Sequence, residues 1–345
     1  MIYNIHGNSA VKPYLSQWFY QDVVIVNDLD IWNDGFDTTN QKYRCDTLMK
    51  LLDAHPCKNV IVDLSQNCFP PHQIPDELLA VTTLTSMCNE WYTQSAPNIH
   101  FFPIWMYMYS HRNNFSQMYR DRFDALGTKI QGVMCLNRGG RRHRVKFYEL
   151  MKDYKDRMCL TVPVFDGLPW QHNRLPGDAF DPDGVLPIND TGVEHPVYDQ
   201  YAVNVVTETQ IQYPSLTEKC CKPFIARQIP IIVGNMGVNQ FHVDIGFDMF
   251  EDLVPWREWD HQTDENIRLE LIANFVKKWI DSGTILRDYK QVQDRVERNK
   301  QYFHSDKFRE LIMRNMPKIN PYELTTTRTI SPPRPGVGVL PTVNK

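Results

Sequence analysis

Residues 202–234 read AVNVVTETQIQYPSLTEKCCKPFIARQIPIIVG. Ala202–Thr207 and Ile229–Gly234 are mainly apolar runs rich in β-branched residues, the pattern of strands covered on both faces. Between them, Thr217–Ala226 predicts a helix. Thr217 is a suitable N-cap, Glu218 falls in the first turn where a carboxylate suits the dipole, and Pro223 bends the helix or limits its regular part. Strand, helix and strand in this order form the repeating unit of a parallel α/β sheet.

The same alternation runs through the first half. Met1–His6, Asp22–Asn27, Asn59–Leu64 and Ile99–Trp105 read as strands, while Thr47–Ala54 and Pro75–Trp91 carry helix-like apolar spacing. Gly132–Leu136 reads as the last strand of that half, followed by a helix from about Arg142 to Tyr154. Six prolines and four glycines then fall between Pro163 and Pro196, a long loop of the kind that is usually functional or linking. Beyond residue 234, Glu265–Ile280, Leu286–Tyr302 and the shorter Asp306–Arg314 read as amphipathic helices. From Met316 onward the tail is proline-rich and is expected to be extended. The simplest architecture is an α/β chain of two Rossmann-like lobes: an N-terminal lobe over 1–160, a second over 161–315, and a tail over 316–345.

Composition narrows the function classes. The 345 residues carry 37 Lys+Arg against 41 Asp+Glu, a net charge of -4, so there is no basic excess for holding nucleic acid or an anionic membrane. None of the eight cysteines forms a C-x-x-C pair, which argues against a zinc knuckle and a compact disulfide framework. The amino-terminal residues MIYNIHGNSA have no signal-peptide pattern, and the run Val23–Val26 is too short to span a bilayer. The expectation is a cytoplasmic protein with reduced thiols and no membrane span. G-x-x-x-x-G-K-[ST] and G-x-G-x-x-G are both missing, against ATPase and classical dehydrogenase readings.

Chemistry concentrates in two segments. In Asn137-Arg138-Gly139-Gly140-Arg141-Arg142-His143-Arg144, four arginines and a histidine crowd a turn between a strand and a helix. The glycines permit a sharp turn, the helix start supplies free N–H groups, and arginine forks match phosphate oxygens. A solvated basic turn is the bland alternative; the place at the carboxyl end of a strand favours a ligand site. The second segment is Thr217–Gly234, where Glu218 and Lys222 also fit a simple i,i+4 surface pair.

Thr217-Glu218-Lys219, followed by a helix and Gln228-Ile-Pro-Ile-Ile-Val-Gly234, resembles the donor-binding segment of family 10 glycosyltransferases, the fucosyltransferase-like enzymes of the two-lobed GT-B fold. The arginine-rich turn and Thr207-Glu208-Thr209 are similar to motifs that precede it in such transferases. The resemblance spans about residues 133–253. Arg227-Gln228 departs from the Ala-Gly often found in the family, and the first lobe shows no motif that aligns.

The resemblance implies a GT-B-like fold with lobes facing a cleft, and transfer of a sugar from a nucleotide-sugar donor to a hydroxyl acceptor, a glycan or another. It implies that Glu218 bonds the donor ribose, that Lys219 faces the diphosphate, and that one or more of Arg138, Arg141 and Arg144 offset charge as the diphosphate leaves. Asn137, His143, Thr217, Lys222 and Gly234 complete the donor-binding set, and Glu208 orients the donor or acts as a base. An inverting reaction also needs a base beside the acceptor, for which His6, Asp63 and His111 at first-lobe strand ends are candidates. Asp28-Leu29-Asp30 has the form of a metal clamp but comes too early in the chain; Asp181-Pro182-Asp183 and His242-Val243-Asp244 have less support. No metal and no cofactor beyond the donor are therefore expected. The aromatic run Trp105–Tyr109 reads as a core strand edge. A non-catalytic nucleotide- or sugar-binding relative is the alternative, and a nucleic-acid-binding protein using the Arg138–Arg144 turn a more remote one.

Overall fold

β-branched runs set the framework of this computed structural model, which describes residues 2–4, 23–27, parts of 36–50, 59–64, 82–85, 99–101, 103–110, 129–137, 141–161, 197–209, 211 and 216–314. Ile2–Asn4 (β1), Val23–Asn27 (β2), Asn59–Leu64 (β5), Thr82–Thr85 (β6) and Ile99–Phe101 (β7) form a five-stranded parallel sheet in the order β1-β2-β5-β6-β7. Phe36–Asp37 (β3) and Lys42–Tyr43 (β4) make a short antiparallel pair. Thr82–Thr85 lies inside the stretch 75–91 that the apolar spacing assigned to a helix. Three threonines in four residues favour the pleated conformation, and ladders on both sides fix it.

The chain then turns helical where a strand was expected. Ile104–Ser110 (α1) begins after Pro103, whose carbonyl accepts from Tyr107 N at 3.1 Å. Trp105–Tyr109 is therefore helix rather than strand edge. Its apolar residues point to several sides, and Met106, Tyr107 and Tyr109 are all buried.

A second, separate parallel sheet holds the decisive stretch. Its strands are Gln131–Cys135 (β8), Cys159–Leu160 (β9), Tyr201–Thr207 (β10) and Ile229–Val233 (β11), in the order β11-β10-β8-β9. Val203 of β10 pairs with Val133 on one side and Ile229 on the other. Gln131–Cys135, read as the last strand of the first half, thus belongs to the second sheet, and so does β9. The change of sheet falls between Phe101 and Gln131, ahead of the division expected at residue 160.

Arg142–Met151 (α2) joins β8 to β9, and Val197–Gln200 (α3) leads into β10. Glu218–Ile225 (α4) joins β10 to β11. Val238–Asp244 (α5), Arg257–Asp260 (α6), Glu265–Ser282 (α7), Ile285–Gln291 (α8), Gln293–Phe303 (α9) and Asp306–Arg314 (α10) follow. The right-handed rule for parallel crossovers assigns α2 and α4 to opposite faces of the sheet, and their main neighbours differ: α2 packs on α7, and α4 on α1 and α9. The periodic run 286–302 is broken at Val292 into α8 and α9. α7 is capped at both ends: Asp264 accepts from Asn266 N and Ile267 N, and Gly283 closes it with φ 66°.

α4 ends in a Schellman turn, with Gln228 N donating to Pro223 O at 2.8 Å. That turn puts Arg227 at φ 53°, a left-handed position that favours glycine, where the side chain is held by Glu297 at 2.7 Å. The loop 163–196 and the tail 316–345 lie outside the described residues. Among the described residues no helix is long and apolar enough to cross a membrane.

Candidate functional site

The order β11-β10-β8-β9 contains a switch point. From β8 the chain moves by α2 to β9 at one edge; from β10 it moves by α4 to β11 at the other. Where neighbouring strands feed helices on opposite faces, their carboxyl ends splay apart and open a crevice. β8 delivers Asn137 and the start of α2 to this crevice; β10 delivers Glu208, Thr209 and the start of α4.

One residue ties these parts together. Glu208 is wholly buried, and its N–H donates to Val233 O at 3.0 Å, extending the β10–β11 ladder. Its carbonyl accepts from His143 Nε2 at 2.7 Å and from Arg144 Nη2 at 3.1 Å. Its carboxylate accepts from Thr217 Oγ1 and, at 3.2 Å, from Thr209 N. Burial pushes the Glu208 carboxyl above its usual range, against the pull of the Lys219 charge and the Thr217 hydroxyl.

On the β8 side, Arg144 is buried and its Nη2 also donates to Thr207 O at 3.1 Å. Its Nε is buried with no hydrogen-bond partner among the described residues. Burial lowers its pKa, offset by the Glu208 charge. His143 is driven down to about 4 by burial, so the imidazole is neutral near pH 7, and donation to a carbonyl requires the proton on Nε2. Arg141 is the exposed N-cap of α2, and among the described residues no side chain caps this helix start, the positive end of its dipole.

On the β10 side, Thr217 caps α4 by accepting from Lys219 N at 3.4 Å. Lys219 forms an ion pair with Glu218, and its ammonium also donates to Thr209 Oγ1 at 3.2 Å. Burial would raise the Glu218 carboxyl, yet the Lys219 and Lys222 charges hold it below its usual range. The side chains of Lys219 and Glu218 are 27% and 11% exposed, so the pair is half sheltered but open to a ligand. Lys222 lies with its ammonium 5.8 Å from the centre of the Tyr198 ring, and the ion pair recorded for Glu218 is with Lys219.

The residues singled out in the sequence fall in four places. Arg144, His143, Glu208, Thr217, Glu218 and Lys219 converge at the switch point. Asn137 adjoins them but is occupied: its Oδ1 accepts from Thr207 Oγ1 at 2.7 Å and its Nδ2 donates to Cys135 Sγ at 3.5 Å. Gly234 follows β11, and a Cβ there would come 3.1 Å from Val238 Cγ1, so close packing against α5 accounts for its glycine. Asp63 is the penultimate residue of β5, in register with Asn27 and Leu84, in the other sheet. Arg138, His6, His111, Asp28, Asp30, Asp181 and Asp183 lie outside the described residues.

His242 Nδ1 donates to the Val238 carbonyl at 2.7 Å and Asp244 accepts from Gln240, so His242 and Asp244 are each engaged within their own helix. No group of three metal-ligating side chains occurs among the described residues. Sequence reasoning missed Thr209, the seat of the Lys219 ammonium, and Asp260. The Asp260 carboxylate accepts from Asn239 N at 3.0 Å and Gln240 N at 2.9 Å and so fills the start of α5. Nothing local in the sequence links Asp260 to a helix some 20 residues earlier.

The sequence matches no protein-family model and no curated protein. Among solved structures the chain is similar to a crystal structure of an alpha1,3-fucosyltransferase, at TM-score 0.36 and 9% identity, covering 83% of this chain and 81% of that one.

Proposed function

We propose that the chain is a glycosyltransferase that moves a sugar from a nucleotide-sugar donor to a hydroxyl acceptor without a divalent metal. One observation carries the reading. At the switch point, a buried arginine whose Nε–H has no partner among the described residues, a lysine ammonium and the N-terminal end of α2 gather within one hydrogen-bonded cluster. Fixed cations and backbone donors of this kind stabilise a departing diphosphate without reorganising at the moment of transfer. The resemblance of Thr217–Gly234 to a donor-binding segment supplies the rest: Glu218 takes the ribose hydroxyls, Lys219 the diphosphate, and Arg144 with Arg141 or Arg138 the charge that develops. Glu208, wholly buried, serves this site through Thr217 and Thr209. The base that accepts the acceptor's proton comes from another part of the chain, with Asp63 at the end of β5 the candidate kept.

The test is a screen of nucleotide-sugars by thermal shift, followed by product analysis with hydroxyl acceptors. Nucleoside diphosphate released together with glycosylated acceptor supports the reading. Nucleotide binding with neither transfer nor donor hydrolysis replaces it with that of a non-catalytic binding protein.

A further inference from the structure

Lys219 is held at both ends. Its backbone N–H donates to the hydroxyl of Thr217 and its ammonium to the hydroxyl of Thr209. Both threonines hang on the same carboxylate: Glu208 accepts the Thr217 hydroxyl proton and the Thr209 backbone N–H. The single proton of the Thr217 hydroxyl is spent on Glu208, so its lone pairs are turned toward Lys219 N. The backbone carbonyl of Glu208 meanwhile holds His143 and Arg144 at the start of α2. The carboxylate is wholly buried and is already engaged by the two threonines.

We propose that Glu208 is a positioning residue, which sets the place of the Lys219 ammonium relative to Arg144 from inside the protein and acts on an anionic ligand only through Lys219. This inference rests on reading the switch point as a diphosphate site. It differs from a purely structural role in one respect. If Glu208 works through Lys219, its effect on anion binding must vanish once the ammonium is gone.

A double-mutant cycle measures this. Inorganic pyrophosphate is titrated calorimetrically into the wild type, Glu208→Asp, Lys219→Met and the double variant, with circular dichroism confirming the fold of each. Aspartate keeps the charge but withdraws the carboxylate by one methylene, out of reach of Thr217 and Thr209 together. The expected result is a fivefold or greater loss of pyrophosphate affinity from Glu208→Asp in the wild-type background, and less than twofold in the Lys219→Met background. Equal losses in both backgrounds, or unchanged affinity in the first, overturn the proposal while leaving the anion site in place. Absence of pyrophosphate and nucleoside diphosphate binding by the wild type removes the site itself, and the proposal with it. If Glu208→Asp does not fold, Thr217→Val takes its place in the cycle with the same expectations, and Thr217→Ser, which keeps the hydroxyl, restores affinity.

Discussion

Replacing Arg144 by lysine separates the charge of this residue from its fork. Nη2 spans two carbonyls, Thr207 O and Glu208 O, each at 3.1 Å, while the buried Nε–H has no partner among the described residues. Lysine keeps the positive charge beside Glu208, so that carboxylate is not left uncompensated. A single ammonium cannot hold both carbonyls and also offer a planar donor to a phosphate oxygen. One charge-assisted hydrogen bond contributes about 1.5–3 kcal/mol, and about 1.4 kcal/mol is tenfold in affinity, so nucleoside diphosphate binding should weaken roughly 10- to 150-fold. Unfolding free energy should fall by only about 1–3 kcal/mol, because one of the two carbonyls remains within reach of the ammonium. Titration calorimetry with a nucleoside diphosphate and with the matching nucleoside gives the answer. Loss confined to the diphosphate supports the argument. Equal losses for both ligands, or none for either, refute the assignment of Arg144 to phosphate.

The two partners of the Lys219–Glu218 ion pair should fail differently. Lys219→Ala should lower turnover on the order of 10²-fold, whereas Glu218→Ala should mainly raise the apparent KM for the donor; initial rates against donor concentration separate them. The same assay with EDTA should give unchanged rates, and activity lost to EDTA but restored by manganese would move Asp28 and Asp30 to the centre of the reaction. Acid should destabilise the fold through His143 and His242, which burial drives down to about 4. The unfolded chain binds these protons near pH 6.5 and the native protein does not, so their contribution is fully present above 6.5 and is lost as pH falls toward 4, by up to roughly 3 kcal/mol each. Urea midpoints that stay level from pH 7.5 to 5 would contradict this. Gly246→Ala should lower Tm through a cost of about 1–3 kcal/mol, since φ is +100° and the new Cβ would meet Tyr302 Oη at 2.8 Å.

What the sequence made legible follows from what periodicity can encode. β2, β5, β10 and β11 were readable from runs rich in valine and isoleucine, and in β10 and β11 nearly every residue is buried, as expected of strands covered on both faces. Thr217 and Glu218 announced the start of α4 through capping chemistry, which is local. Partner choice is not local. Nothing in GVMCL at 132–136 says that it pairs with AVNVV rather than with the strands before it, so its sheet was misassigned. Trp105–Tyr109 failed for another reason: alternating large apolar residues satisfy a strand pattern, and burial on several sides removes the polar face that marks a helix. The charged residues of the candidate site were picked out by type, but the contacts of Glu208 were not. Its backbone carbonyl accepts hydrogen bonds from 64 and 65 residues back, at the start of α2, and its carboxylate accepts one from the cap of α4.

The membership of β8 bears on how the chain can be cut and how it is made. A fragment beginning at residue 161 would lose β8, β9 and α2 together, and β10 would be left with one whole flank unpaired. Such an edge, buried and apolar in the intact protein, is a template for pairing with other chains, so the fragment should precipitate. α1 raises the demand further, because it packs on α4 and α10, well beyond the first sheet that precedes it. A soluble C-terminal piece would have to start ahead of Ile104. On the ribosome the same geometry means that α1 and β8 emerge early and wait, unpartnered, until β10 and α4 are synthesised, which makes that interval the one in which a holding chaperone has most to protect.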